Sequence, residues 1–191
     1  MKRRSVLTLL GSLSLLACSR TPVTFTGIDI TGANYANDFH LRGHDGKDYS
    51  LDSFKGKHLL IFFGFTQCPD ICPTALNRAV HIRKLLADKA EQLQVIFITI
   101  DPERDTPELL AQYMKAFDPS FLGLYGDMKE TQEAAAAFKV FYQKVPSGSS
   151  YTMDHTAISY VFDDKGKIRL ALKHEQTAEQ CAADLRTLMT A

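Results

Sequence analysis

The stretch that decides the fold is HLLIFFGFTQCPDICPTALN, residues 58–77. Residues 59–63 form an apolar run without period-2 alternation, which is typical of a central strand covered on both faces. After Gly64 come Cys68 and Cys72, each followed by a proline, which the first turn of a helix tolerates. Apolar residues then recur at helical spacing. The sequence therefore predicts a buried strand, a turn with two thiols, and a helix.

The predicted position of the two thiols is suited to chemistry. Sites in open α/β sheets are usually built at the carboxyl ends of strands, and a helix N-terminus lowers the pKa of a nearby thiol. A spacing of four places Cys68 and Cys72 on one helical face, with Cα atoms about 6 Å apart, within reach of a disulfide. The pair can form a Cys68–Cys72 disulfide and act as a redox pair, or offer two thiolates to a metal. A purely structural disulfide, or two inert buried cysteines, is the alternative.

Residues 1–17 have the pattern of a lipoprotein signal peptide. Three basic residues precede the apolar run 6–16, which is too short to span a bilayer. The run ends in LLAC, which resembles the lipobox of bacterial lipoproteins, so we expect cleavage before Cys18 and its lipidation. Ordinary signal cleavage or a short uncleaved anchor is the alternative. We expect residues 18–23 to be a tether and the protein to lie on the periplasmic face of a bacterial membrane; Ser19 lacks the aspartate associated with inner-membrane retention.

Composition indicates one globular domain over residues 24–191. The chain has 191 residues, 45% of them hydrophobic and 23% charged. Its formal net charge is zero, without a basic patch, so no nucleic-acid partner is indicated. Export implies an oxidising compartment, in which a cysteine pair needs a dedicated reductant to stay reduced. Cys181 lies in a helical apolar stripe and is predicted to be a core residue.

The order of elements predicts an α/β, thioredoxin-like fold with a central mixed sheet flanked by helices. Strand, helix, strand and helix are followed by an antiparallel strand pair and a last helix. Residues 39–51, with an Asp-Gly turn, predict an N-terminal hairpin extension, in which His40 and His44 are expected to be exposed. Thr106 or Asp105 can cap the helix that follows the second buried strand. Met114 belongs to that helix's apolar stripe and is predicted to pack in the core.

A third candidate ligand is His155, which follows Cys72 by 83 residues. In this topology the loop of residues 153–156 is expected beside the cysteine turn. Two thiolates and an imidazole suit Cu(I), and imidazole also suits Cu(II); zinc accepts the same donors, usually with a fourth ligand. A partly buried histidine with satisfied hydrogen bonds is the alternative. Asp154 is either a partner of this site or a surface acid.

The chain resembles the SCO/SenC proteins, copper chaperones that serve cytochrome c oxidase. The resemblance spans about residues 40–188 and rests on FGFT (63–66), CPDICP (68–73), DPERDTP (101–107) and DHT (154–156). It implies that Cys68, Cys72 and His155 bind copper, as Cu(I) or Cu(II). It also implies a client, the binuclear copper centre of cytochrome c oxidase subunit II, and a periplasmic thiol reductant or copper donor. The family favours the inner membrane, and we expect a monomer. Gln67 departs from the histidine of many bacterial relatives.

Three functions compete at this stage. The first is a membrane-anchored copper chaperone that uses all three ligands. The second is a thiol–disulfide oxidoreductase, in which Cys68 is the nucleophile and Cys72 resolves the mixed disulfide. The third is a peroxidase of peroxiredoxin type, suggested by Thr66 two residues before Cys68, but the second nearby cysteine fits it poorly.

Overall fold

The computed structural model describes residues 24–190. The predicted signal peptide 1–17, the lipidation site Cys18 and the tether 18–23 lie outside the described residues. The strands are β1 Ile28–Asp29, β2 Leu41–Gly43, β3 Asp48–Tyr49, β4 His58–Gly64, β5 Leu93–Thr99, β6 Leu122–Tyr125, β7 Tyr142–Ser147, β8 Ser150–His155, β9 Ser159–Phe162 and β10 Ile168–Leu172. The helices are α1 Ile71–Leu86, α2 Pro107–Phe117, α3 Met128–Ala137 and α4 Ala178–Leu188. No helix within residues 24–190 has both the length and the apolarity to cross a bilayer.

The main sheet has the strand order β1-β10-β9-β4-β5-β6-β2-β3. Strands β4, β5 and β6 are parallel, whereas β4 is antiparallel to β9 and β6 to β2. Every residue of β4 is buried, because the strand lies in the middle of the sheet and is covered on both faces. The predicted mixed sheet and thioredoxin-like arrangement are confirmed. The carboxyl ends of β4 and β5 share one edge, and the cysteines follow β4 directly.

The helices begin and end largely as their sequences predict. Thr106 caps α2 by accepting a hydrogen bond from the Leu109 N–H, and Pro107 occupies the first helical position. Met114 and Cys181 are both core residues, as predicted. Helix α1 begins at Ile71, so Cys68 precedes the helix and only Cys72 lies in its first turn. The expectation that both thiols share a helical face is therefore wrong, because the tight turn continues past Cys68.

The N-terminal extension is the predicted hairpin of β2 and β3, and it joins the edge of the main sheet through β6. His40 is exposed, as expected. His44 is instead partly buried, and its Nδ1 accepts a hydrogen bond of 3.0 Å from the Gly123 N–H. The hairpin sequence alone could not indicate this contact, because the acceptor faces a strand that lies 79 residues away in the chain.

Strands β7 and β8 form a second, two-stranded sheet that pairs with no strand of the main sheet. A two-residue turn joins them, with Gly148 at a φ of +58°. Of the twelve strand residues of this hairpin only Met153 is buried. His155 is the last residue of β8, opposite Tyr142. The prediction of a loop at 153–156 is therefore corrected: a strand carries the histidine and ends at it.

Candidate metal centre

The turn after β4 buries the two thiols to different extents. The Cys68 N–H donates to the Phe65 carbonyl at 3.2 Å, which closes the turn. The Cys72 N–H, in the first turn of α1, donates to the Cys68 sulfur at 3.4 Å. Cys72 is fully buried and Cys68 is partly exposed. Solvent and a partner can therefore reach Cys68 first.

A buried carboxylate fixes this turn from the β5 side. Asp105 accepts hydrogen bonds from the Thr66 N–H at 3.0 Å, the Thr66 hydroxyl at 2.5 Å and the Thr99 hydroxyl at 2.6 Å. Burial raises the pKa of the Asp105 carboxyl, and the hydrogen bonds from the threonines counteract the rise. Asp105 was predicted only as a possible helix cap. Its actual role is to tie the cysteine turn to the end of β5.

Gly64 is required where the buried thiol meets the sheet. A Cβ atom at this position would lie 2.7 Å from the Cys72 sulfur and 2.8 Å from Cε2 of Phe97. Gly64 has an ordinary negative φ, so the requirement is space rather than backbone conformation. The missing side chain lets the Cys72 sulfur pack directly on the end of β4.

The imidazole of His155 is oriented by its own strand end. Its Nδ1 lies 3.0 Å from the Thr156 carbonyl oxygen. A carbonyl only accepts, so the ring hydrogen is assigned to Nδ1, and the lone pair lies on Nε2. Nε2 lies 3.7 Å from the Cys72 sulfur. The rings of Phe62 and Phe65 contact the imidazole edge to face, with centroids 5.9 and 6.0 Å from its own.

The three predicted ligands converge. The sulfur atoms of Cys68 and Cys72 and one ring nitrogen of His155 all lie within 4.8 Å of one another. Metal–sulfur and metal–nitrogen bonds of about 2.0 to 2.3 Å place the donors of one ion about 3.5 to 4 Å apart. Only a small contraction is needed for a single ion to contact all three. The donors are soft or borderline, so the set fits a thiophilic metal better than Mg²⁺ or Ca²⁺.

The two thiols differ in acidity. A hydrogen bond from the Cys72 thiol lowers the pKa of Cys68 to about 4, and burial opposes this. The same bond, together with burial, raises the pKa of Cys72. In the reduced protein one proton is therefore retained on the buried sulfur and the exposed sulfur is the thiolate. No disulfide is present among the described cysteines, which are Cys68, Cys72 and Cys181. The Cys68–Cys72 disulfide stays a prediction.

Two further sequence positions are now placed. Asp154 is exposed opposite Gln143 on the hairpin, so its side chain belongs to the surface. The Gln67 side-chain oxygen accepts a hydrogen bond of 3.2 Å from Nη1 of Arg104. Sequence reasoning overlooked Arg104, although it lies in the motif DPERDTP. Its charge and its place in that motif gave no sign that it would be mostly buried beside the site.

Comparison with known proteins agrees with this geometry. The family model described as SCO1/SenC matches residues 29–190. An SCO2-like protein of Rickettsia conorii is 39% identical over 177 residues, which cover 89% of this chain and 85% of the relative. Copper-bound ScoI of Bradyrhizobium japonicum is 40% identical, with a TM-score of 0.73 over 80% of this chain and 98% of that one.

A further solved structure adds a functional context. BsSco is described as a member of the Sco family of cytochrome c oxidase assembly proteins in which a disulfide switch was identified. It is 25% identical, with a TM-score of 0.63 over 85% of this chain and 98% of that one. The family match spans most of the chain, and the Rickettsia relative is covered over most of its own length. The chain therefore belongs to the SCO1/SenC family.

Proposed function

We propose that this protein is a copper-binding chaperone that delivers copper to, or matures, the binuclear copper centre of cytochrome c oxidase subunit II. The observation that carries the proposal is the convergence of Cys68, Cys72 and His155 within 4.8 Å. The copper-bound ScoI relative and the oxidase-assembly context of BsSco support the same function.

Each ligand has a distinct part in the proposal. The Cys68 and Cys72 sulfurs select Cu(I), and Nε2 of His155 allows the same site to accept Cu(II). Copper is cargo here, so it must be bound firmly and still be released. The partly exposed Cys68 gives a client ligand access to the ion, whereas the buried rings of Phe62 and Phe65 pack against the imidazole.

The experiment is metal analysis of the reduced full chain, kept in detergent, after loading with Cu(I) and dialysis against a competing chelator. We expect the wild type to retain about one copper per chain. We expect His155→Ala to bind copper at least tenfold more weakly than the wild type. His81→Ala is the matched control, because His81 is exposed on α1 and away from the site. Loss of copper from Cys68→Ser and Cys72→Ser completes the ligand set. Unchanged copper affinity in His155→Ala would exclude the third ligand.

The second candidate function is thiol–disulfide exchange, favoured by the unequal acidity of the two thiols. The Cys68 thiolate attacks a client disulfide and forms a mixed disulfide, and one client thiol leaves. The Cys72 thiol, once deprotonated, displaces the second client thiol and closes the Cys68–Cys72 disulfide. Two electrons pass to the client, and a periplasmic thiol reductant restores the pair. Oxidase assembly rescued by His155→Ala but by neither cysteine variant would favour this function.

The setting we propose is the periplasmic face of a bacterial membrane, with the chain anchored by a lipid on Cys18. The basic start, the short apolar run and the LLAC sequence at 15–18 support it. Metabolic labelling with a tagged fatty acid tests the anchor: the label should appear on the wild-type chain and be absent from Cys18→Ala. Membrane fractionation then separates inner from outer membrane.

A further inference from the structure

The hairpin that carries His155 is weakly joined to the rest of the molecule. It pairs with no strand of the main sheet, and one of its twelve strand residues is buried. A cavity of 450 Å³ lies beneath it, lined by Met128, Tyr142 and Met153 among others. Isolated two-stranded hairpins are marginal in water. A small number of specific contacts must therefore hold His155 where it meets the two sulfurs.

Most of those contacts converge on Arg104. Its Nη1 donates to the Tyr151 carbonyl at 2.8 Å, and its guanidinium lies 3.7 Å from the centre of the Tyr151 ring. Its Nε donates to the carboxylate of Asp101, which in turn accepts a hydrogen bond of 2.8 Å from the Tyr151 hydroxyl. Asp101 is 1% exposed, so this ion pair is shielded from solvent. Arg104 thus contacts the carbonyl and the ring of Tyr151, and Asp101 accepts from its hydroxyl.

The same guanidinium also contacts the thiol side. Nη1 donates to Gln67, the residue before Cys68, at 3.2 Å. The guanidinium carbon lies 5.8 Å from the centre of the Phe65 ring, and that ring contacts the imidazole of His155 edge to face. Arg104 therefore touches the two parts of the chain that supply the sulfurs and the nitrogen. Lysine could not replace it, because a single ammonium cannot make these divergent contacts from one plane.

We infer that Arg104, together with Asp101 and Tyr151, is a positioning unit that holds the His155 hairpin against the cysteine turn. None of the three is a ligand. Their effect on copper rests on the proposed function, whereas their effect on the hairpin does not. Without the unit, the two thiolates remain in place on α1 and its preceding turn, and the imidazole is no longer kept within reach of them.

The first arm of the test needs no metal. Hydrogen–deuterium exchange is measured on the reduced, metal-free full chain. In Arg104→Gln we expect amides of β7 and β8 to exchange at least tenfold faster, because a released hairpin frays, while β4 and α1 keep wild-type rates. Arg42→Gln is the matched control, since it makes the same substitution at an arginine whose ion pair with Asp48 is exposed on the other hairpin, β2–β3. Unchanged exchange in Arg104→Gln overturns the inference.

The second arm measures copper. We expect Arg104→Gln to bind Cu(I) at least tenfold more weakly and to lose the nitrogen hyperfine signal of bound Cu(II), and Arg42→Gln to match wild type. Tyr151→Phe, which removes only the bond to Asp101, should be intermediate, and it decides the matter if Arg104→Gln fails to fold. A freed hairpin with an intact nitrogen signal overturns the inference. If wild type itself binds no copper, the proposed function fails, and the exchange arm still decides the positioning role.

Discussion

Gly64→Ala is the change whose effect can be worked most directly from the structure. The added methyl group would lie 2.7 Å from the Cys72 sulfur, 2.8 Å from Phe97 and 3.1 Å from Phe62. Ordinary contacts at a Cβ are 3.4–4 Å, so neighbours must move by several tenths of an ångström. All three neighbours are buried, and none is the free end of a flexible chain.

Two opposing terms set the size of the effect. Overpacking a tight core costs about 1 to 3 kcal/mol. The alanine also restricts the unfolded chain, which returns about 0.4 to 1 kcal/mol because Gly64 has no positive φ. The net expectation is a loss of about 1 to 2 kcal/mol in the free energy of unfolding. The sulfur of Cys72 is the nearest atom, so we also expect weaker copper binding.

The assay is urea unfolding of the reduced, metal-free protein. Gly123→Ala is the matched control: it is also a strand glycine with negative φ, but its tightest contact is Cγ of Met114, at 3.1 Å, which can yield. We expect it to be neutral or slightly stabilising. A double-mutant cycle tests whether the clash with the Cys72 sulfur is the cause. Gly64→Ala should lower the free energy of unfolding by less in a Cys72→Ala background, because that sulfur is absent. The reasoning is refuted if Gly64→Ala is as stable as wild type, or costs the same in both backgrounds.

The remaining predictions concern ionisation and the anchoring of the turn. Alkylation of Cys68 in the reduced, metal-free protein should titrate at about pH 4, and Cys72→Ala should move the midpoint up, towards about 8.5. The pKa of Cys68 is lower in the folded than in the unfolded protein, so ionisation of Cys68 stabilises the reduced fold at high pH. The urea midpoint should therefore fall as the pH is lowered from about 8.5 towards 4. Asp105→Ala should cost about 1 to 3 kcal/mol by urea unfolding, since it leaves the Thr66 N–H and hydroxyl without their buried acceptor; an unchanged midpoint would contradict that role.

The fold was predictable wherever local sequence decides it. Residues 59–63 are apolar without alternation, and that pattern occurs where both faces of a strand are covered, as they are here. Thr106 and Pro107 specify a helix start by hydrogen bonding and φ alone. The observed strand order places β9, which follows His155 in the chain, beside β4, and this brings His155 to the cysteine turn although the chain separates them by 83 residues.

The parts that sequence missed are those in which a polar group finds its partner across the fold. Asp105 was a candidate helix cap, and only the parallel pairing of β4 with β5 puts its carboxylate under Thr66. His44 was predicted to be exposed, but in the structure its Nδ1 accepts a hydrogen bond from the Gly123 N–H. Local patterns report propensity and burial period, and they contain no information about which distant donor meets which acceptor.

The two halves of the site are built with unequal rigidity. The thiol half rests on a fully buried strand, the turn held by Asp105 and the first turn of a helix. The imidazole half rests on a hairpin with one buried residue, joined through Tyr151 and Arg104. Removing one ligand from a three-donor site lowers affinity, whereas moving a buried thiolate would disrupt the core. If the protein delivers copper as proposed, we expect a client to displace the hairpin rather than the thiol half, so that the histidine leaves the ion first.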